Sequence, residues 1–194
     1  MKGHASNPTR MLAGSSGGKS QPRQPELSAG PGGREPVLCG DLDMRIAADG
    51  SWLYRGSPIG RPALVKLFAS VLRREADGQY WLVTPAERGR VTVEDAPFTA
   101  VEVTAHGIGR DQRLVFRSNL DEEATAGDDH PIRVETDPAS GAPRPYILFR
   151  DGLEARILRP VFYHLVDLGE AEGDRFGVWS SGRFFPLGTL EPGL

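Results

Sequence analysis

Two stretches of the sequence open with Arg-Pro and continue with helical spacing: residues 61–72, RPALVKLFASVL, and residues 159–168, RPVFYHLVDL. In the first stretch, apolar residues at positions 64, 67, 68, 71 and 72 predict an amphipathic helix. Proline is tolerated in the first turn of a helix, where an N–H has no intrahelical partner to lose. Four identical residues recur at a spacing of 98, as the pairs 61/159, 62/160, 67/165 and 81/179. A spacing shared by four pairs favours an internal duplication.

Short β-branched segments flank both predicted helices. Asp49-Gly50 marks a hairpin between strands at 44–47 and 52–55. Later strands are expected at residues 80–83, 90–94, 99–104, 113–117, 132–135 and 146–150, with a final hairpin at 177–187. The short connections predict antiparallel neighbours. The fold class is therefore predicted as α+β: two related small domains, each a curled, mainly antiparallel sheet with one helix.

The predicted domains are residues 41–104 and 105–194, preceded by a tail at residues 1–40. Residues 1–36 contain seven glycines, five prolines and five serines, and no aromatic residue precedes Trp52. Such a segment buries too little apolar surface to offset its ordering entropy, which predicts disorder. A domain of this small size also buries little surface alone, so the two domains are expected to pack together. A cleft between them would be the expected ligand site.

The tail contains AGSSGGKS at residues 13–20, which nearly matches a phosphate-binding loop. The first position of such a loop is glycine, but here it is Ala13. No apolar strand precedes the motif, and Pro22 and Pro25 stand where a helix should follow. The context favours a flexible linker over a nucleotide site.

Composition and charge exclude several classes of protein. Of 194 residues, 39% are hydrophobic and 25% are charged, which is typical of a globular protein. The net charge of −3 argues against a nucleic-acid partner, and no apolar run is long enough to predict a membrane partner. The single cysteine, Cys39, excludes an intramolecular disulfide and suits a reducing compartment. A cytoplasmic location is expected.

Four arginines are candidate ligand-binding residues. Arg55 and Arg150 are expected to end equivalent strands, while Arg61 and Arg159 begin equivalent helices. If the two domains face each other, these guanidinium groups would converge on an anion, which arginine binds in bidentate geometry. The alternative is that they are solvated or ion-paired surface groups.

Trp179, Ser180 and Ser181 are a second set of candidate ligand-binding residues. The indole ring would stack on a planar base, and the adjacent hydroxyls would bind polar atoms beside it. The alternative is that the tryptophan is core, which is the usual role of such a residue in a small sheet. The same two interpretations apply to Trp52, Tyr54 and Phe184.

The sequence predicts no catalytic residue, metal or cofactor. The acidic stretch at 121–130 lacks the alternating pattern of an EF-hand and holds one histidine, so a solvated loop is expected. His164 precedes Asp167 by about one helical turn, but no nucleophile motif accompanies the pair. Glu94-Asp95 stands just before Pro97 and is more typical of a turn cap than of an acid/base couple.

Several ordered motifs carry a family resemblance: DGSW at 49–52, GSPI at 56–59, LVKLF at 64–68, VEDAPF at 93–98, HP at 130–131 and GVWSSG at 177–182. Over residues 41–190 the chain resembles the uncharacterised proteobacterial domain-of-unknown-function family 1285. The resemblance implies an α+β protein with an internal duplication, whose second half is similar to a pleckstrin-homology domain. It also implies a nucleotide-like ligand at the junction, a role in signal transduction and no enzymatic activity.

Three hypotheses of function follow. The first is a noncatalytic sensor or adaptor that binds a small anionic or nucleotide-like ligand between the two repeats and passes its occupancy to a partner protein. The second is an enzyme that uses the same cleft, with His164, His130 or Asp95 as the acid/base group. The third is a protein-interaction scaffold with a filled junction and no small ligand.

Overall fold

The structure is a computed structural model that describes residues 36–190. The AGSSGGKS motif and most of the predicted tail lie outside the described residues. The helices are α1 (Pro62–Ser70) and α2 (Arg159–Asp167), with one 3₁₀ turn at Gly109–Asp111. The strands are β1 (Val37–Ile46), β2 (Trp52–Tyr54), β3 (Ser57–Pro58), β4 (Leu72–Arg74), β5 (Tyr80–Val83), β6 (Glu87–Val93), β7 (Phe98–His106), β8 (Arg113–Ser118), β9 (Glu123–Thr125), β10 (Ile132–Thr136), β11 (Pro143–Arg150), β12 (Leu153–Ile157), β13 (Glu170–Glu172), β14 (Arg175–Ser180) and β15 (Arg183–Thr189).

Both Arg-Pro segments form helices, as their periodicity predicts, and each has proline in its first turn. Each helix turns two buried side chains to the core: Val65 and Ala69 in α1, and Val161 and Leu165 in α2. The first helix ends at Ser70 instead of continuing to residue 72, because Leu72 is fully buried and begins β4, which pairs with β5. Over the part of the chain that the structure describes, neither helix is long and apolar enough to cross a bilayer.

The first sheet has the strand order β3-β2-β1-β6-β5-β4. Its centre is mixed, because β1 pairs antiparallel with β2 and parallel with β6. The first strand begins at Val37, so residues 37–40, which the sequence places in the tail, extend the sheet. Val37 and Leu38 pair with Glu87 and Arg88 on β6, far along the chain. Backbone pairing with a strand far along the chain therefore places this segment in a sheet, although its local composition predicts disorder.

The second sheet has the order β10-β11-β12-β7-β8-β9. The predicted domain boundary at residue 104 falls inside β7, which belongs to this sheet. The antiparallel pairing expected between the neighbouring strands β6 and β7 is wrong, since they lie in different sheets. Between them Ala96 and Pro97 are buried, and β7 then pairs parallel with β12. The connection at 94–97 therefore crosses from one sheet to the other.

A third sheet, β13-β14-β15, contains the predicted final hairpin. Its three strands follow α2 in the way that β4, β5 and β6 follow α1. The pairing differs, because β6 joins β1 of the first sheet whereas β15 pairs with β14 of its own sheet. All three sheets contribute large, fully buried side chains to one core: Ile46 and Leu72, then Phe98 and Phe116, then Val178 and Phe185. The fold is α+β, with two mixed sheets and one antiparallel sheet that pack on a common core.

Candidate functional site

A cavity of about 660 Å³ lies where the β1–β2 turn meets β11, β12 and the start of α2. This volume falls within the range of small-molecule sites. Ala48 of the turn and Asp95 of the connection between the first two sheets both line the cavity. The charged side chains on the opposite wall are Asp137, Arg144, Arg156 and Arg159, with Phe162 and Tyr163 beside them.

The strand register places the polar groups of this wall on one face of the second sheet. Side chains alternate along a strand, so Arg144 and Tyr146 on β11 point to the same side. Arg156 on β12 stands directly opposite Tyr146 in the antiparallel ladder. The other face of these strands carries Ile147 and Ala155, which are fully buried in the core.

Asp95 is the centre of a hydrogen-bonded cluster at the cavity. Its Oδ1 accepts the Tyr146 hydroxyl at 2.6 Å and an Arg144 N–H at 2.8 Å, and its Oδ2 lies 3.5 Å from an Arg156 nitrogen. The carboxylate side chain is only 12% exposed. Burial, followed by the hydrogen bond to Asp95, raises the pKa of Tyr146. The negative charge of Asp95 is also the main reason that the pKa of Arg144 is raised.

Arg159 differs from the other two arginines of the cavity because no residue within 36–190 forms an ion pair with it. It is exposed and is the first residue of α2. Leu158, the N-cap residue, has no side chain that caps the helix, and backbone N–H groups at a helix start favour anions. With three guanidinium groups against Asp95 and Asp137, the charged lining has one excess positive charge. Such a cavity can bind an anion beside an aromatic surface.

Of the predicted arginines, only Arg159 lines this cavity. Arg55 is 72% exposed at its side chain, 4.0 Å from Asp43 and over the Tyr54 ring. Arg61 is the exposed N-cap residue of α1. Arg55 directly follows β2 and Arg150 ends β11, and each of these is the second strand before a helix, so their expected equivalence stays a prediction.

Arg150 holds together elements that are distant in sequence. Its Nε and one terminal nitrogen donate to the two carboxylate oxygens of Glu122, both at 3.0 Å. The same terminal nitrogen donates to the carbonyl of Ala69 in the last turn of α1, also at 3.0 Å. The guanidinium group lies over the ring of Phe98. These contacts fasten α1 to the second sheet and occupy the group that was expected to bind an anion.

The Trp179-Ser180-Ser181 set joins the third sheet to the second. The Trp179 ring packs against Phe184 and lies under the Arg110 guanidinium group at 4.5 Å. Ser180 is fully buried, and both serine hydroxyls donate to the carbonyl of Ala126. None of the three lines the cavity. Trp52, one of the other aromatic candidates, is a core residue that stacks on Phe68.

The residues of the enzyme hypothesis are dispersed. His164 is exposed on α2, and His130 Nδ1 lies 3.1 Å from the carbonyl oxygen of Leu148. Only Asp95 lines the cavity. Within residues 36–190 no cluster of three His, Cys, Asp or Glu side chains is arranged to hold a metal ion.

Sequence reasoning missed Arg144, Tyr146 and Arg156. The signal that would find Arg156 is the alternation of apolar and polar residues at 153–157, which marks one polar face on that strand, whereas residues 144–148 do not alternate. Their convergence on Asp95 has no signal in the sequence, because it depends on how the connection at 94–97 crosses between sheets.

Two family models cover most of this chain. The N-terminal domain of a domain of unknown function, DUF1285, matches residues 34–96, and the C-terminal domain of the DUF1285 protein matches residues 97–187. A crystal structure of a DUF1285 family protein from Silicibacter pomeroyi DSS-3 is 54% identical, with a TM-score of 0.77 over 80% of this chain and 84% of that one. The chain belongs to the DUF1285 family.

A second crystal structure, of a DUF1285 family protein from Shewanella baltica OS155, is 27% identical with a TM-score of 0.51. It covers 66% of this chain and 91% of that one. No curated protein matches. In the DUF1285 division, Ala48 and Asp95 belong to the N-terminal domain and the rest of the cavity lining belongs to the C-terminal domain. The cavity is therefore a junction between the two DUF1285 domains.

Proposed function

We propose that this DUF1285 protein is a cytoplasmic, noncatalytic sensor or adaptor that binds a small anionic, nucleotide-like ligand between its two domains. The observation that carries the proposal is Arg159, a guanidinium group on the cavity wall without an ion pair among residues 36–190. Arginine binds phosphate and carboxylate groups in bidentate geometry, and a neighbouring helix start adds favourable dipoles.

The lining also suits a ligand with a planar part. Phe162 and Tyr163 lie about one helical turn after Arg159 on α2 and line the same cavity. Aromatic faces accept any nucleobase, so an anion at Arg159 would leave a base within reach of these rings. A phosphorylated planar ligand matches both halves of the lining better than a free carboxylate does.

The role as a sensor follows from the position of the cavity. Its lining comes from both domains, so a bound ligand contacts both and changes the free energy of their packing. A partner protein that distinguishes the two states would then read the occupancy of the cavity. Asp95, the one acid/base candidate in the cavity, already accepts hydrogen bonds at Oδ1, which favours a binding role over the enzyme hypothesis.

The test is a thermal-shift titration of the full chain with inorganic phosphate, pyrophosphate, AMP, ATP and acetate. A ligand at 100 times its dissociation constant should stabilise the protein by about 2.7 kcal/mol. The shift should disappear in Arg159→Ala and persist in Arg61→Ala, the matched control with the same Arg-Pro context outside the cavity. Absence of a shift with every phosphorylated compound would refute the proposal and favour the scaffold hypothesis.

A further inference from the structure

The Asp95 carboxylate pairs with guanidinium groups of the cavity wall, as the charge of an anionic ligand would. Its carboxylate binds two of the three guanidinium groups of the lining, those of Arg144 and Arg156, and accepts the Tyr146 hydroxyl as well. The second carboxylate of the wall, that of Asp137, lies 3.9 Å from Arg144 and is 29% exposed. Asp95, at 12% exposure, is the better-buried counter-charge.

The residue before Asp95 is fastened to the β1–β2 region of its own N-terminal domain. The Glu94 N–H donates to the Ile46 carbonyl at 3.0 Å, and the Glu94 carboxylate accepts the Ala48 N–H at 3.0 Å. Asp95 itself reaches across to β11 and β12 of the second sheet. The side chain thus links the end of the N-terminal domain to the C-terminal domain through charge.

We propose that Asp95 is an internal competitor for the ligand: a phosphoryl ligand with two or more negative charges displaces its carboxylate from Arg144 and Arg156 and so releases this link between the domains. The inference rests on the proposed function. A singly charged carboxylate finds only Arg159 without an ion pair, and one exposed ion pair contributes little. A phosphoryl group with two or more negative charges would pair with all three guanidinium groups, whereas the Asp95 carboxylate pairs with only two of them.

Release of Asp95 is a local change, because other links between the domains remain. Lys66 pairs with Asp121 at 2.6 Å, and the Asn119 side-chain amide donates to the Gly50 carbonyl at 3.3 Å. The segment that responds is the connection at residues 94–97 and the β1–β2 turn that contacts it. Occupancy therefore changes the surface around this connection, where a partner would detect it.

The experiment measures pyrophosphate binding to the full chain by calorimetry, with acetate as the singly charged comparison. Asp95→Asn keeps the shape of the side chain and removes its charge, so it should bind pyrophosphate about tenfold more tightly than the original protein. Asp43→Asn is the matched control, because this carboxylate also pairs with an arginine but lies outside the cavity, so the affinity should change by about twofold or less. In the original protein, pyrophosphate should accelerate hydrogen exchange of the Ala48 and Glu94 amides.

The outcomes separate the two proposals. If neither the original protein nor Asp95→Asn binds pyrophosphate, the proposed function fails and this inference fails with it. If the original protein binds while Asp95→Asn binds equally or more weakly, only the competitor role is overturned. Should Asp95→Asn not fold, the exchange experiment on the original protein decides, since unchanged or slower exchange at Ala48 and Glu94 on binding contradicts the release.

Discussion

Replacement of Ser180 by alanine tests whether the Trp179-Ser180-Ser181 set holds the fold together or binds ligand. The Ser180 side chain is fully buried between the third and second sheets. Its hydroxyl accepts the Leu114 N–H at 3.0 Å and donates to the Ala126 carbonyl at 2.7 Å. Alanine is nearly isosteric, so Ser180→Ala removes two hydrogen bonds and leaves no large cavity.

The expected cost follows from what becomes unpaired. The Leu114 N–H loses its partner in a buried position, whereas the Ala126 carbonyl keeps the Ser181 hydroxyl at 2.9 Å. A buried donor without a partner costs about 1–3 kcal/mol. We expect Ser180→Ala to lower the free energy of unfolding by about 2 kcal/mol, which corresponds to a fall in Tm of about 4–8 °C for a chain of this size.

The assay is thermal and urea unfolding of Ser180→Ala beside Ser181→Ala. The second variant removes an exposed hydroxyl whose acceptor retains Ser180, so its stability should change by about 0.5 kcal/mol or less. The affinity for pyrophosphate at room temperature should be the same in both variants, because neither residue lines the cavity. Unchanged stability of Ser180→Ala, or a loss of pyrophosphate binding without unfolding, would refute the structural role.

Two further changes probe the contacts across the second sheet. Arg150→Met keeps an apolar stem over Phe98 but leaves the half-buried Glu122 carboxylate and the Ala69 carbonyl without their donor, so chemical unfolding should show a loss of about 2 kcal/mol. Arg150→Lys should recover part of this loss, and equal stability of all three proteins would contradict the account. Tyr146 has a pKa raised above its ordinary 10.0 by burial, so the unfolded chain ionises first and stability should fall as pH rises from about 10 through the pKa of the folded state. Tyr146→Phe should remove that part of the alkaline loss, and an unchanged pH dependence in unfolding experiments would contradict it.

The elements of the fold could be predicted wherever the decisive interactions are local. Helical spacing after Arg-Pro locates α1 and α2, and the turn at Asp49-Gly50 locates the hairpin of β1 and β2. Pairing between distant strands has no local signal, which is why the parallel ladder of β1 with β6 was not predicted. The internal duplication and the likeness of the second half to a pleckstrin-homology domain stay predictions.

The site shows the same division between local and distant information. Arg159 was proposed because the repeated Arg-Pro context predicts a helix start in each domain, where guanidinium groups that face each other would converge on an anion. Arg150 was proposed for the same anion on equally local grounds, yet the fold brings Glu122 and the end of α1 to its guanidinium group. The sequence shows where an arginine stands but not which group its side chain contacts. It therefore cannot distinguish an arginine that stabilises the fold from one that binds a ligand.

The two Arg-Pro segments show why a repeat in sequence need not give the same contacts in the fold. The α1 helix is fixed to the second sheet through the Ala69 carbonyl and Lys66, and Arg61 at its start lies outside the cavity. The α2 helix instead begins beside the polar face of β11 and β12, where the connection at 94–97 delivers Asp95 from the other domain. That connection belongs to no repeated pair. Both Arg-Pro segments therefore supply a helix start with a guanidinium group. Only the second lies beside the connection between the sheets, and so only the second lines a cavity formed by both domains.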